Sequence, residues 1–317
     1  MAEKVQIREV GPRDGFQNEP ETIPTARKVE LIDALARTGL KRLEVTSFVR
    51  ADVIPQLADA AEVLAGIDVP ADVAVSVLVP NERGLENALA LREAERERRG
   101  ESVDRGGRDA FDEINVFLSA SETHNRKNVN RSIEDSLAGL EVVLARARAA
   151  GLRCEAVIST SFGCPYEGHV PPARVLEIAT RLHAAGAQEI GFGDTTGMAN
   201  PRQVGELFTG WKEGLGEVEL TAHFHNTRGQ GLANVLAALE VGVDSFESSF
   251  GELGGCPVPS GATGNIATED LVSMLDGMGI STGVDLPALL ACAGRVREIL
   301  GRPLGSHTLV AGPVDWH

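Results

Sequence analysis

Short apolar runs with β-branched residues alternate along this chain with longer stretches whose apolar positions recur at helical spacing. The first run, 5–10, is stopped by Gly11-Pro12. After Pro24, the positions Val29, Ile32, Leu35 and Ala36 mark one face of a helix that Gly39 ends. Further strands are expected at 43–47, 73–79, 113–118, 153–159, 189–193, 218–225 and 243–247. Helices are expected between them at 51–64, from Gly84 to Leu91, and at 132–150, 171–185, 201–213 and 231–240. Short strands alternating with longer helices predict a parallel sheet. Eight such units predict closure into an α/β barrel of the (β/α)8 kind. The turn after the first strand, Gly11-Pro-Arg-Asp-Gly15, is not the glycine-rich turn of a doubly wound dinucleotide-binding fold. Two more helices, 268–278 and 286–300, are expected to close the barrel side or form a small appendage, so residues 1–317 are read as a single domain.

One stretch breaks the rhythm. Residues 92–109 carry six arginines and six acidic residues and offer no apolar face. We read them as a helix extension ending in a mobile surface excursion. The two signs cancel there, so it is not a basic nucleic-acid arm.

Composition narrows the function. Aromatic residues make up 4% of the chain, so the core is mostly aliphatic. The net charge of -16 argues against a nucleic-acid footprint, which wants a basic patch. It leaves room for an anionic small substrate, because a pocket's local charge governs binding there. No apolar run reaches membrane-spanning length and the opening residues lack a secretory pattern. The cysteines Cys154, Cys164, Cys256 and Cys292 are widely spaced, with no C-x-x-C among them. Reduced thiols in a cytoplasmic enzyme fit better than a disulfide framework.

In such a barrel the chemistry gathers at the carboxyl ends of the strands. Leu220-Thr-Ala-His-Phe-His-Asn226 ends the seventh strand, and residues two apart share a face, so His223 and His225 can point at one place. Imidazoles so placed can grip a metal ion, and oxygen ligands are then needed from elsewhere. Asp14, after the first strand, and Asn265, beyond the glycine- and proline-rich stretch 254–264, are the candidates. Two nitrogens with carboxylate and amide oxygens leave room for substrate oxygens and suit Mg or Mn better than Zn. Asp14 has an alternative reading as a turn-former before Gly15, and Asn265 one as a loop brace. Arg13 either pairs with a nearby carboxylate or stabilises negative charge developing on an oxygen. Glu44 and Asp194 are either site residues or core carboxylates that orient Arg13 and a histidine. Asn115, Ser119, Ser121, Ser159, Thr160 and Ser161 gather at the same end. Cys256, between Gly255 and Pro257, is either a small buried hydrophobe or an acid–base group brought in by loop closure.

These segments together resemble the 3-hydroxy-3-methylglutaryl-CoA lyase family, within the wider metal-dependent Claisen and retro-Claisen barrels. The resemblance runs from residue 5 to about residue 305. It rests on Glu9-Val-Gly-Pro-Arg-Asp-Gly-Phe-Gln-Asn-Glu19, Glu44-Val-Thr-Ser-Phe-Val49, Gly163-Cys-Pro-Tyr-Glu-Gly168, Gly193-Asp-Thr195 and His223-Phe-His225. The more specific part is Gly254-Gly-Cys-Pro257 joined to Gly264-Asn-Ile-Ala-Thr-Glu-Asp270. The resemblance implies that Asp14, His223, His225 and Asn265 hold a divalent cation, Mg or Mn. It implies that Arg13 steadies an enolate oxygen, that Cys256 handles a proton, and that Glu44 and Asp194 support them, with Asp194 near the substrate hydroxyl. The base is expected to be His223 or Asp194. The implied reaction splits a 3-hydroxy-3-methylglutaryl-CoA-like thioester into acetyl-CoA and a 3-oxoacid. A homo-oligomer, by base rates a dimer, is expected. The rival readings are a 2-isopropylmalate or homocitrate synthase-like condensation, an aldolase acting on non-CoA oxoacids, and a non-enzymatic scaffold.

Two features depart from the family pattern. Asn226-Thr-Arg228 stands where Asp-Thr-Tyr is usual, so Arg228 is expected to meet a carboxylate, a CoA phosphate or a surface partner. The second departure is the charged excursion at 92–109.

Overall fold

The β-favouring runs pair in chain order, each with the next, and the last returns to the first. The computed structural model describes residues 3–100, 109–255 and 264–314. Its strands are β1 (Gln6–Glu9), β2 (Arg42–Ser47), β3 (Ala74–Leu78), β4 (Glu113–Ser119), β5 (Arg153–Ser159), β6 (Glu189–Asp194), β7 (Glu219–Phe224) and β8 (Ser245–Ser248). All pairings are parallel, and β8 closes on β1 through Gln6 opposite Ser245 and Glu9 opposite Ser248. Closure removes both sheet edges and sets every strand's carboxyl end on one rim.

The helices are α1 (Thr25–Leu35), α2 (Ala60–Gly66), α3 (Glu82–Gly100), α4 (Glu122–Val129), α5 (Ile133–Ala149), α6 (Pro172–Ala185), α7 (Pro201–Leu215), α8 (Gly231–Glu240), α9 (Thr268–Gly277), α10 (Leu286–Leu300) and α11 (His307–Ala311). Their starts follow ordinary capping. Ser132, Asn200 and Asp285 each accept a hydrogen bond from the backbone N–H three residues on. Between the helices and the outer face of the barrel lies a shell of Val, Leu, Ile and Ala, with Phe192 stacked on Trp211 (centroids 4.2 Å apart).

Three local expectations are corrected. The helix expected at 51–64 is split into a single tight turn, Pro55–Leu57, followed by α2, because Pro55 lacks an N–H and holds Ile54 out of helical conformation. α4 and α11 were not foreseen. α4 has no apolar stripe and is held instead by its cap and by Asn125. The stretch from Arg92 does extend α3, yet it is not wholly solvated. Arg92 is buried, donates to the Ala150 carbonyl (3.0 Å), pairs with Asp109, and lies 5.8 Å above the Phe111 ring. The excursion proper, 101–108, lies outside the described residues.

The interior of the barrel at its amino-terminal end is filled by charge. Arg8 meets Glu113 (3.3 Å), Glu189 (3.4 Å) and Glu247 (3.2 Å), and is paired with Glu155. Arg42 reaches Glu189 (2.6 Å) and Glu113 (3.0 Å). All six are buried. Burial works against the Arg8 charge, but the carboxylates around it hold its pKa above the ordinary value. Removing one member of such a set leaves uncompensated charge in a dry interior. We expect Arg8→Met to lower the unfolding free energy by about 3–5 kcal/mol, read as a shifted midpoint in urea denaturation.

Candidate active site and metal centre

After β1 the chain enters a wide helical turn, Gly11–Gly15, in which the Asp14 N–H donates to the Val10 carbonyl (2.7 Å). A side chain at Gly11 would collide with the Phe250 ring, so glycine lets the turn press against the segment after β8. Glu9 ties those two segments together. Its carboxylate accepts from the N–H groups of Gly11 (2.7 Å) and Phe250 (3.0 Å) and from the Thr268 hydroxyl (2.6 Å). This turn aims Arg13 and Asp14 at the carboxyl-terminal mouth.

There the carboxylate of Asp14 and one ring nitrogen each of His223 and His225 all lie within 4.8 Å of one another. The Nε2 atoms of the two histidines are 3.0 Å apart. Asn265 joins them because residues 264–266 run beside the end of β7. The Asn226 N–H donates to Gly264 (3.1 Å) and the Ile266 N–H to Phe224 (3.0 Å). Asn265 Nδ2 donates to Asp14 Oδ2 (2.8 Å) and to the Leu253 carbonyl (3.2 Å). Its Oδ1 is buried with no hydrogen-bond partner among the described residues. An orphaned amide oxygen beside a carboxylate and two converging imidazoles is a donor set that fits a cation.

The charges are set for that role. Burial alone would raise the Asp14 pKa, but Arg13 and the two histidines bring it down to about 2, so Asp14 is ionised. Burial opposes protonation of His223, yet Glu247 and Asp14 outweigh it and raise its pKa. His223 Nδ1 lies 2.7 Å from Glu247 Oε2, which leaves Nε2 for the centre. His223 thus has Glu247 on one nitrogen and His225 Nε2 3.0 Å from the other. Arg13 donates through Nε to Glu44 Oε2 (2.8 Å) and through Nη1 to Asp14 Oδ1 (2.6 Å). Glu44 stands behind Arg13 and fixes it.

The site opens on a cavity of about 360 Å³ whose wall includes Arg13, Asp14, Asn115, His124, His223 and His225. Asp194 is not in that wall. Its carboxylate accepts from the Met198 (2.7 Å) and Ala199 (3.1 Å) N–H groups and so organises the loop after β6, while burial pushes its pKa up to about 6. Cys256 lies outside the described residues. The sequence reading missed Glu247 and His124. Glu247 stands directly opposite His223 in the β7–β8 register, and an acid near the end of the last strand was the available signal.

The HMGL-like family pattern matches residues 4–296. The chain belongs to the HMGL-like family. Hydroxymethylglutaryl-CoA lyase YngG of Bacillus subtilis is 46% identical over 96% of both chains. The mitochondrial hydroxymethylglutaryl-CoA lyase of Rattus norvegicus is 42% identical over 96% of this chain and 89% of its own. An HMG-CoA lyase structure from Acinetobacter baumannii, in complex with coenzyme A and 3-methylmalate, superposes with a TM-score of 0.89 at 38% identity, covering 99% of this chain and 97% of that one.

Within this HMGL-like chain, the departure at Asn226 and Arg228 makes its hydrogen bonds outside the donor set. Asn226 reaches Glu252 (3.4 Å) and accepts from the Gly231 N–H (3.3 Å) at the start of α8. Arg228 forms no ion pair with a carboxylate among the described residues, although its charge acts on Asp194 against the effect of burial. Its Nη1 donates to the Thr196 and Gly197 carbonyls (2.8 Å each), tying the loop after β7 to the loop after β6. Glu269 at the head of α9 accepts from the Gly251 N–H (2.9 Å), and burial pushes its pKa up to about 8.

Two outcomes follow from this geometry. Glu247→Gln keeps the contact to His223 but removes the charge, and we expect divalent-ion affinity to fall about 10–100-fold in a calorimetric titration. Glu269 binds its proton more tightly folded than unfolded. Its contribution is therefore complete below about pH 4.3 and is lost as pH rises through about 8. Chemical denaturation between about pH 5 and about pH 8 should show a flatter decline for Glu269→Gln than for the wild type.

Proposed function

We propose that this chain cleaves 3-hydroxy-3-methylglutaryl-CoA, or a close thioester, to acetyl-CoA and a 3-oxoacid, acetoacetate for the parent substrate. The observation that carries the reading is the donor set Asp14, His223, His225 and Asn265 opening on the cavity with Arg13 beside it. Its two imidazoles and two oxygens form a mixed, rather hard set suited to Mg or Mn. A cation held there would act as a Lewis acid on a substrate oxygen and make an alkoxide reachable near neutral pH.

The bond that breaks joins C2 and C3 of the acyl unit. The C3 hydroxyl passes its proton to a base, for which His223 and Asp194 are the candidates, C3 becomes a ketone, and the electron pair of the broken bond passes to C2 as the thioester enolate. Arg13 cannot swing away while Glu44 and Asp14 both hold it, so its guanidinium is preorganised for the enolate oxygen. On the family resemblance we assign Cys256 the return of a proton to C2. Asp194 is assigned a positioning role through the loop after β6, and Glu44 one through Arg13.

A second cavity, of about 640 Å³, shares Val49, Val53, Phe117 and Asn128 with the first. Its wall carries Arg50, Arg83 and Arg131. Three cations beside an apolar passage suit a phosphate-bearing arm, and we place the CoA portion of the substrate there. The coenzyme A in the Acinetobacter baumannii structure's name supports the ligand class. Cys154, Cys164 and Cys292 are free and buried, which supports a reducing compartment such as the cytoplasm. No helix among the described residues is long and apolar enough to cross a membrane.

With Mg or Mn, the purified protein should release acetyl-CoA from a panel of 3-hydroxy-3-alkylglutaryl thioesters, and a chelator should stop release until the ion is restored. Arg13→Gln should lower kcat by about 10²–10³, with a smaller change in KM. Cys256→Ala should lower turnover with thioester binding retained. Consumption of acetyl-CoA with 2-oxoacids, and no thioester cleavage, would replace this reading with a condensation.

A further inference from the structure

Three segments that follow β8 bring metal-ligating side chains together outside the cavity wall. Glu252 ends the short turn Phe250–Glu252, Asp270 stands in the first turn of α9, and His307 opens α11. One donor atom from each lies within 4.8 Å of the other two. None of the three lines the cavity, and none belongs to the group of Asp14, His223 and His225. An imidazole and two carboxylates converging from separate segments are the donor types of a divalent-ion site.

The hydrogen bonds leave room for an ion. The buried Asp270 carboxylate accepts from the Ser306 hydroxyl (3.2 Å) and the Thr308 N–H (2.7 Å) at Oδ1, and from the His307 N–H (2.9 Å) at Oδ2. A carboxylate has about four acceptor positions, so one remains on Oδ2. His307 Nδ1 stands 3.3 Å from that oxygen, on a side chain that is 84% exposed. That separation is long for a hydrogen bond. It matches the edge, about 3.3 Å, of a tetrahedron of ligands about 2.0 Å from zinc. Glu252 holds a left-handed backbone at φ 60°, which glycine adopts freely and glutamate does not. Its Oε1 meets the Asn226 amide (3.4 Å), and a side chain at Gly305 would strike its Oε2. Gly305 thus clears the space in which this carboxylate reaches the segment before α11.

We propose that Glu252, Asp270 and His307 bind a second divalent cation, zinc in preference to Mg or Mn, that fastens α11 to the turn after β8. Three protein donors leave the fourth tetrahedral position to water on the exposed side of His307. A site with an imidazole nitrogen takes zinc more tightly than manganese, and a harder, all-oxygen shell would suit magnesium. The role is structural. Glu252 lies two positions before Gly254, so the ion would hold the backbone that leads from β8 to Gly254. The ring of His307 would be tied to the interior through Asp270, which is itself held by α11 backbone N–H groups. The inference does not depend on the lyase reading, since it needs no substrate.

The test titrates zinc calorimetrically into the full chain after its metal has been stripped with a chelator. The wild type should take up about two ions per chain, one at the Asp14 group and one here. His225→Gln should weaken the first event and leave the second. Glu252→Gly and His307→Ala should each weaken the second event about tenfold or more and leave the first. Glycine suits the backbone at 252 and residue 307 is exposed, so both variants should fold, and their metal-free thermal midpoints check this. Zinc should raise the thermal midpoint of His225→Gln protein and not that of the His225→Gln, His307→Ala double variant. A single event in the wild type overturns the site, as does a second event of unchanged affinity in Glu252→Gly or His307→Ala.

Discussion

Glu247 joins the two halves of the barrel interior. One carboxylate oxygen faces Arg8 in the charged floor and the other faces His223 Nδ1 at the mouth. The imidazole can turn Nε2 toward the centre only because its other nitrogen is fixed from below. The floor in turn needs its arginines, since four glutamates brought together in a dry interior without them would not stay ionised. A lumen filled with aliphatic side chains would pack well. It would give His223 no acid partner and leave the donor set without a fixed tautomer.

The mouth is assembled from segments far apart in sequence, and each is anchored by backbone hydrogen bonds to a buried acid. Glu9 holds the turn bearing Arg13 and Asp14 against the segment after β8. Asp194 fixes the loop after β6, and Arg228 then fastens that loop to the one after β7. Glu269 takes the Gly251 N–H at the stem leading to Gly254. These acids do not touch the cavity. They decide where the residues that do touch it are placed.

The strands were legible because they are brief apolar runs set between longer helical stretches, several of them closed off by Gly or Pro, and barrel closure followed from counting them. The convergence of Asp14, His223, His225 and Asn265 was legible for a similar local reason. His223 and His225 share a face, and Asp14 and Asn265 sit in glycine-bounded turns at the same end. The charged floor was not legible. Arg8, Arg42, Glu113 and Glu189 are polar positions on four different strands, and only barrel closure brings them together in one interior. α4 escaped notice because its stability comes from capping and from the bonds of Asn125, which leave no apolar periodicity. Asp194 accepts from backbone N–H groups four and five residues on, and Arg228 donates to carbonyls about thirty residues back, contacts that the sequence does not signal.

The donor set also acts on the chain as a whole. Asp14 and Asn265, joined by a 2.8 Å hydrogen bond, are 251 residues apart. They flank the seam where β8 meets β1, the pairing that joins the two ends of the strand order into a ring. An ion gripped by both would lock that seam like a clasp. Its binding energy would be available only to a closed ring, so loading the enzyme and holding the barrel shut become one event.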